Sequence, residues 1–174
     1  SNVLLNEKLI ETKPAVQTVQ FYVTTLLEAY IFYEIKRFDI KGKEYLKTLG
    51  KYYIVDIGLR NYLLGFRNRD IGHSIENIVY FELLRRGYDV AIGKIGENEI
   101  DFIATNINTK IYIQVTENMA NSSTREREIA PFYKIQDNFE KIVITNDESY
   151  LGIQDGIKII KLVDFLLDEK ILKN

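Results

Sequence analysis

Two carboxylates and a neutral amide are the residues whose chemistry this sequence declares most openly: Glu76, Asp101 and Gln114, the last followed by Val115 and Thr116. Along 110–116 a period of two puts Ile111, Ile113 and Val115 on one face of a strand and Tyr112, Gln114 and Thr116 on the other. Asp101 belongs to the neighbouring strand of a hairpin-like unit, so Asp101 and Gln114 are expected to meet near the first turn of the helix carrying Glu76. Paired carboxylates placed this way suit a divalent cation, Mg²⁺ or Mn²⁺, that generates hydroxide and stabilises a leaving oxygen. That is the arrangement of a metal-dependent phosphodiesterase, in which a Lys two residues after the second carboxylate orients water. Glu76 and Asp101 are therefore the candidate metal ligands, and Glu76, Asp101, Gln114 and Thr116 the candidate catalytic set.

Each residue also has a plainer explanation. A carboxylate in a first helical turn, as Glu76 is expected to be, is favoured by the helix dipole alone. Asp101 interrupts the apolar run Ile100 to Ala104 and can be a turn-facing or paired carboxylate. His73, just ahead of the helix, reads as a solvated or capping residue, and Arg125 to Glu128 as a solvated face with local ion pairs.

The elements that must position these residues follow from periodicity and punctuation. Helical spacing from Val16 to Ile31, after Pro14, predicts a helix over 15–32. Tyr33 to Ile40 and Glu44 to Val55 read as two strands around Lys41-Gly42-Lys43. A helix followed by a basic hairpin is the tail end of a winged helix, whose two earlier helices need more sequence than residues 1–13 supply. A short helix over Ile57 to Leu64 and a loop rich in Gly, Arg and Asp then mark a connector. From Ser74 to Arg86 the pattern is helical, with Gly87 placed as a C-terminal cap. Strands follow over 88–92, 99–104 and 110–116, then a helix over 124–137, strands over 141–145 and 156–161, and a closing helix over 163–170. The expected division is residues 1–56, a connector at 57–73, and an α/β domain over 74–174.

Composition removes several function classes. Among 174 residues there is no Cys and one His, His73, which excludes thiol nucleophiles, zinc ribbons and iron–sulfur clusters, and leaves His73 alone to serve a Ser-His-Asp triad. The 46% hydrophobic and 28% charged residues are those of a globular chain with material for one sizeable domain or two small ones. No stretch approaches a membrane span and no signal peptide is evident, so a cytoplasmic location without membrane partners is expected. Ser1-Asn2 resembles a remnant of tag cleavage, and the chain reads as a piece of a larger protein. No Gly-x-x-x-x-Gly-Lys-Ser/Thr loop occurs, since Glu44 and Ile95 follow Lys43 and Lys94, and no Gly-x-Gly-x-x-Gly fingerprint occurs either.

Charge is uneven. Residues 1–51 carry a balance of +2 within a total of −2. Lys36, Arg37, Lys41, Lys43 and Lys47, interleaved with Tyr33, Phe38 and Tyr45, are the candidate nucleic-acid contacts. The same pattern also protects exposed sheet edges from aggregation.

Glu76-Asn77, Leu83-Leu84-Arg85-Arg86-Gly87-Tyr88, Glu99-Ile100-Asp101-Phe102 and Tyr112-Ile113-Gln114-Val115, preceded by Lys51-Tyr52-Tyr53-Ile54-Val55-Asp56-Ile57-Gly58-Leu59, resemble the C-terminal region of a prokaryotic AAA-type P-loop ATPase family. The resemblance covers nearly the whole chain from about Thr12. It implies a partial winged helix followed by a domain of unknown function with a restriction-endonuclease-like α-β-β-β-α-β core, and an ATP-binding domain lying in residues absent from this chain. That ATPase domain is then a partner, with DNA or another protein as further partners. Where nucleases of that fold carry Glu-x-Lys, this sequence has Gln114-Val115-Thr116. Gln114 offers a carbonyl without charge and Thr116 cannot replace an ammonium, which leaves Lys94 or Arg125 to supply a displaced cation. The expectation is a catalytically degenerate nuclease-like domain used for recognition or assembly. The alternatives are an active Mg²⁺-dependent nuclease with an atypical site, and a docking or oligomerisation module.

Overall fold

The computed structural model describes residues 13–48, 50–67 and 70–172; residues 1–12, the N-terminal part of the expected winged helix, lie outside that range. Apolar helical spacing produces α1 (Val16–Glu28), shorter than the expected 15–32 because the chain turns at Ala29 and Tyr30. None of its residues is buried. Two extended arms follow. Each is divided where continuous strands are expected, the first at Lys36 into β1 (Phe32–Ile35) and β2 (Arg37–Asp39), the second into β3 (Glu44–Tyr45) and β4 (Lys51–Ile54). β1 and β4 pair antiparallel as a separate ribbon, whereas β2 and β3 form one edge of the main sheet. The Lys41-Gly42-Lys43 turn closes on Asp39, whose carbonyl accepts the Lys43 amide at 2.8 Å and whose carboxylate accepts the Lys41 amide at 3.0 Å.

The mixed α/β class expected from the sequence is the one observed. After α2 (Ile57–Leu64), capped by the Asp56 carboxylate on the Leu59 amide, come α3 (Ile71–Arg85), β5 (Asp89–Ile95), β6 (Asn98–Thr105), β7 (Lys110–Thr116), α4 (Ser122–Tyr133), β8 (Glu140–Thr145), β9 (Gly152–Gln154), β10 (Ile157–Lys161) and α5 (Leu162–Leu167). The main sheet has eight strands in the order β3-β2-β5-β6-β7-β8-β10-β9. β5, β6 and β7 form an antiparallel meander; β7, β8 and β10 run parallel. β2 joins this sheet parallel to β5, so hydrogen bonds cross the division expected at 57–73. The short edge strand β9 is an addition to the expected elements, and α4 stops at Tyr133, where the Lys134 and Ile135 amides close tight turns onto the Pro131 and Phe132 carbonyls.

Helices cover both faces of the sheet, which is why β7 is buried on both, with Ile111 and Ile113 on one face and Tyr112 and Gln114 on the other. On one face Ile75, Val79 and Leu83 of α3 and Phe165 of α5 pack with Phe102, Ile111 and Ile113. On the other, Ile129 and Phe132 of α4 pack with Ile103, Tyr112 and Val143. Gly87, as expected, takes a left-handed φ of 79° after α3; its amide and that of Tyr88 turn back to the Leu84 and Leu83 carbonyls at 2.9 and 3.1 Å. Gly93 lies at a register shift between β5 and β6. A Cβ there would stand 2.9 Å from Ile100 Cβ and 3.0 Å from Ile40 Cδ1, so its hydrogen lets β2 approach β5. Among the described residues no helix is long and apolar enough to cross a membrane.

Candidate functional site

Asp101 and Gln114 do meet, and the register explains how. The β6–β7 ladder ends at Phe102 opposite Ile113, so the next opposed pair is Asp101 and Gln114 at a point where the strands part. Side chains take over from the ladder there. Gln114 Oε1 accepts the Asp101 amide at 2.7 Å, and Asp101 Oδ2 accepts the Val115 amide at 2.9 Å. Gln114 is 5% exposed, and Thr116, at 8%, donates its hydroxyl to the Asn118 carbonyl at 3.3 Å.

Glu76 is engaged from another direction. With α3 starting at Ile71, not at Ser74, Glu76 lies beyond the first turn, and the helix dipole no longer accounts for it. Its Oε1 accepts Lys51 Nζ at 3.0 Å and the Tyr53 hydroxyl. Lys51 and Tyr53 are two apart on β4 and share a face. The β4 backbone is held by the next helical residue: Asn77 accepts the Ile54 amide at 3.0 Å and donates to the Ile54 carbonyl at 2.9 Å. Tyr53 is buried, with its ring stacked on Tyr80 at 4.5 Å between centroids. The Glu76-Asn77 pair thus grips β4 twice, through charge and through backbone.

The electrostatics follow from this crowding. Burial, and secondly the Glu76 carboxylate, push the Asp101 carboxyl up to about 7; the Val115 amide and Lys51 oppose the shift, and Glu128 adds to it. Burial and Glu76 drive the Tyr53 hydroxyl far up, so it remains a donor. Lys51 also lies 4.0 Å from Glu99 Oε2, while Glu99 Oε1 pairs with Arg37 Nε at 3.0 Å. His73 is in the first turn of α3, not ahead of it, largely exposed, with Nδ1 3.9 Å from Glu76 Oε2.

Neither Lys94 nor Arg125 supplies the displaced cation. Lys94 Nζ bonds the Glu97 carbonyl at 3.4 Å, and Arg125 lies over the Tyr150 ring at 4.4 Å. Lys51 brings the ammonium instead. Its role, and that of Tyr53, is not among the expectations from the sequence, although their alternation on a strand is the available signal. Of the candidate nucleic-acid contacts, Lys36, Lys41, Lys43 and Lys47 are exposed, and Arg37 is drawn into its pair with Glu99.

Hydrogen bonds already engage part of the donor set that a divalent cation would use. Such ions take several oxygen ligands at once, yet Glu76 Oε1 is taken by two donors and the Gln114 oxygen by a backbone amide. Among the described residues no group of three His, Cys, Asp or Glu side chains is placed to hold a metal.

Comparison with known proteins adds relatives but no activity. Residues 2–70 match a family model described as a domain of unknown function (DUF8612), a segment that contains Lys51 and Tyr53 and ends before α3. The chain is 40% identical over 167 residues to an uncharacterized protein of Haemophilus influenzae, covering 96% of this chain and 40% of that one. It is 29% identical over 170 residues to an uncharacterized protein of Methanocaldococcus jannaschii, covering 91% and 37% respectively. The chain therefore spans about two fifths of the length of these curated relatives. No solved structure matches it.

Proposed function

We propose that this chain is the non-ATPase C-terminal part of a AAA-type ATPase: a partial winged helix and a restriction-endonuclease-like domain whose cleavage chemistry has degenerated and whose work is recognition or assembly on DNA. The observation that carries this reading is Gln114. Where a nuclease would offer a carboxylate to a cation, its neutral carbonyl accepts the Asp101 amide at 2.7 Å. A neutral amide and the Thr116 hydroxyl supply neither the charge nor the proton chemistry that each contribute orders of magnitude to such reactions. The α-β-β-β-α-β order from α3 to β8 supports the fold assignment. The greater length of the two relatives leaves room for an ATPase domain. The exposed hairpin lysines Lys36, Lys41, Lys43 and Lys47 suit phosphate contacts.

One observation favours a second reading, an active Mg²⁺-dependent nuclease with an atypical Glu/Asp/Gln-x-Thr site: the ammonium lacking at Thr116 is present nearby, on Lys51, 3.0 Å from Glu76. Cleavage of labelled single-stranded, duplex and branched DNA in Mg²⁺ and then Mn²⁺, with Asp101→Ala as control, decides between the two. The expected result is no cleavage, with binding that weakens as salt rises. Metal-dependent cleavage abolished in the control overturns the proposal in favour of the nuclease. Absence of DNA affinity at low salt overturns it in favour of protein docking, for which Phe21, Tyr22, Tyr62 and Phe66 are exposed.

A further inference from the structure

We infer that Lys51 is the resident cation of the Glu76 site, an ammonium carried in by β4 between Glu76 and Glu99 that supplies the positive charge there without a divalent metal. The inference deepens the reading of this site as noncatalytic and rests on it. Three features argue for a built arrangement over a surface lysine in one of many rotamers. First, the stem is fixed: Asn77 holds both backbone polar groups of Ile54, and the Tyr53 ring is stacked on Tyr80, so β4 cannot slide along α3 without breaking both. Second, the ammonium stands between two carboxylates from different elements, 3.0 Å from Glu76 Oε1 on α3 and 4.0 Å from Glu99 Oε2 on β6. Third, one oxygen of each prospective metal ligand already has a donor: Tyr53 on Glu76 Oε1, the Val115 amide on Asp101 Oδ2, the Asp101 amide on Gln114 Oε1. A metal taking those oxygens would compete with these donors and would meet the charge of Lys51.

The test is a Mn²⁺ titration of the purified chain, followed by calorimetry and electron paramagnetic resonance, together with a double-mutant cycle of Lys51→Met and Glu76→Gln read by denaturant unfolding. The inference expects no saturable Mn²⁺ site in the wild type and the same melting temperature in Mn²⁺ and in EDTA. It also expects coupling between the two substitutions of about tenfold or more in the unfolding equilibrium constant, with Lys51→Arg retaining most of the stability. A stoichiometric Mn²⁺ site abolished by Asp101→Asn, or additive effects in the cycle, overturns it. Should Lys51→Met fail to fold, the wild-type titration decides alone: a stoichiometric site overturns the inference, and none supports it. Mn²⁺ binding without DNA cleavage sinks this inference and spares the functional proposal; cleavage with no metal requirement does the reverse.

Discussion

Asn77 holds Ile54 as a neighbouring strand would, its Oδ1 accepting the Ile54 amide at 3.0 Å and its Nδ2 donating to the Ile54 carbonyl at 2.9 Å. Asn77 is 7% exposed, so both bonds form out of water. Replacing it with Ala strands two backbone groups and a small void, and Asn77→Ala is expected to lower unfolding free energy by about 2–3 kcal/mol. Urea denaturation measures this. Because the same bonds aim Lys51 and Tyr53 at Glu76, the variant should also weaken the coupling between Lys51 and Glu76.

Arg86 joins the end of α3 to α5. Its side chain is 6% exposed and pairs with Glu82 at 2.7 Å, bonds the Phe165 and Asp168 carbonyls, and lies over the Phe165 ring at 4.5 Å. Arg86→Ala removes all of these and leaves Glu82 with the exposed Arg85. A destabilisation of about 3 kcal/mol is expected, and Arg86→Lys should recover only part of it, since an ammonium cannot reproduce the planar fork. Thermal unfolding of both variants checks the order.

Asp101 and Glu82 act on stability in opposite pH windows. Asp101 is pushed up to about 7 from an ordinary 3.8, so between those values the folded chain keeps a proton that the unfolded chain has released. Stability therefore falls as pH rises through that window, by up to about 1.4 kcal/mol per pH unit from this group, and the full cost is present above pH about 7. Glu82 is shifted down by its hydrogen bonds with Arg85 and Arg86, so its contribution is present above the ordinary glutamate range and disappears in acid as pH drops through its folded value. Unfolding curves from pH 5 to 8 should slope downward in the wild type and flatten in Asp101→Asn. An unchanged slope in that variant contradicts the assignment.

Gly93 admits β2 to the main sheet. Gly93→Ala places a methyl group against Ile100 Cβ, on β6, and Ile40 Cδ1, and overpacking of that kind costs about 1–3 kcal/mol. Amide hydrogen exchange should show the weakened protection concentrated at Arg37–Asp39 and Ile40, whose amide bonds the Lys94 carbonyl at 2.9 Å.

The hairpin lysines give a salt-dependent signal. Lys41, Lys43 and Lys47 are exposed, and removing them together should weaken DNA binding similarly across sequences. It should also reduce the slope of log K against log salt by up to about 3, roughly one for each phosphate that is no longer neutralised. Fluorescence anisotropy at several salt concentrations measures both.

Much of this molecule is legible in its sequence because the information is local. Helical spacing places α3 to within a few residues, Gly87 marks its end through a left-handed φ, and alternation over 110–116 sets which residues of β7 share a face. The neighbouring of Asp101 and Gln114 follows from the same source, since a short turn between adjacent strands leaves little freedom of register. The tertiary structure alone decided which partners those residues keep. Whether β2 pairs with β5, whether a continuous-looking strand divides at Lys36, and whether the cation near Glu76 comes from Lys94, Arg125 or Lys51 all depend on pairings between residues far apart in the chain. No periodicity records such pairings. They are settled by packing of both sheet faces at once, and in this fold that packing delivers Lys51 and Tyr53 to Glu76 and leaves Gln114 to Asp101.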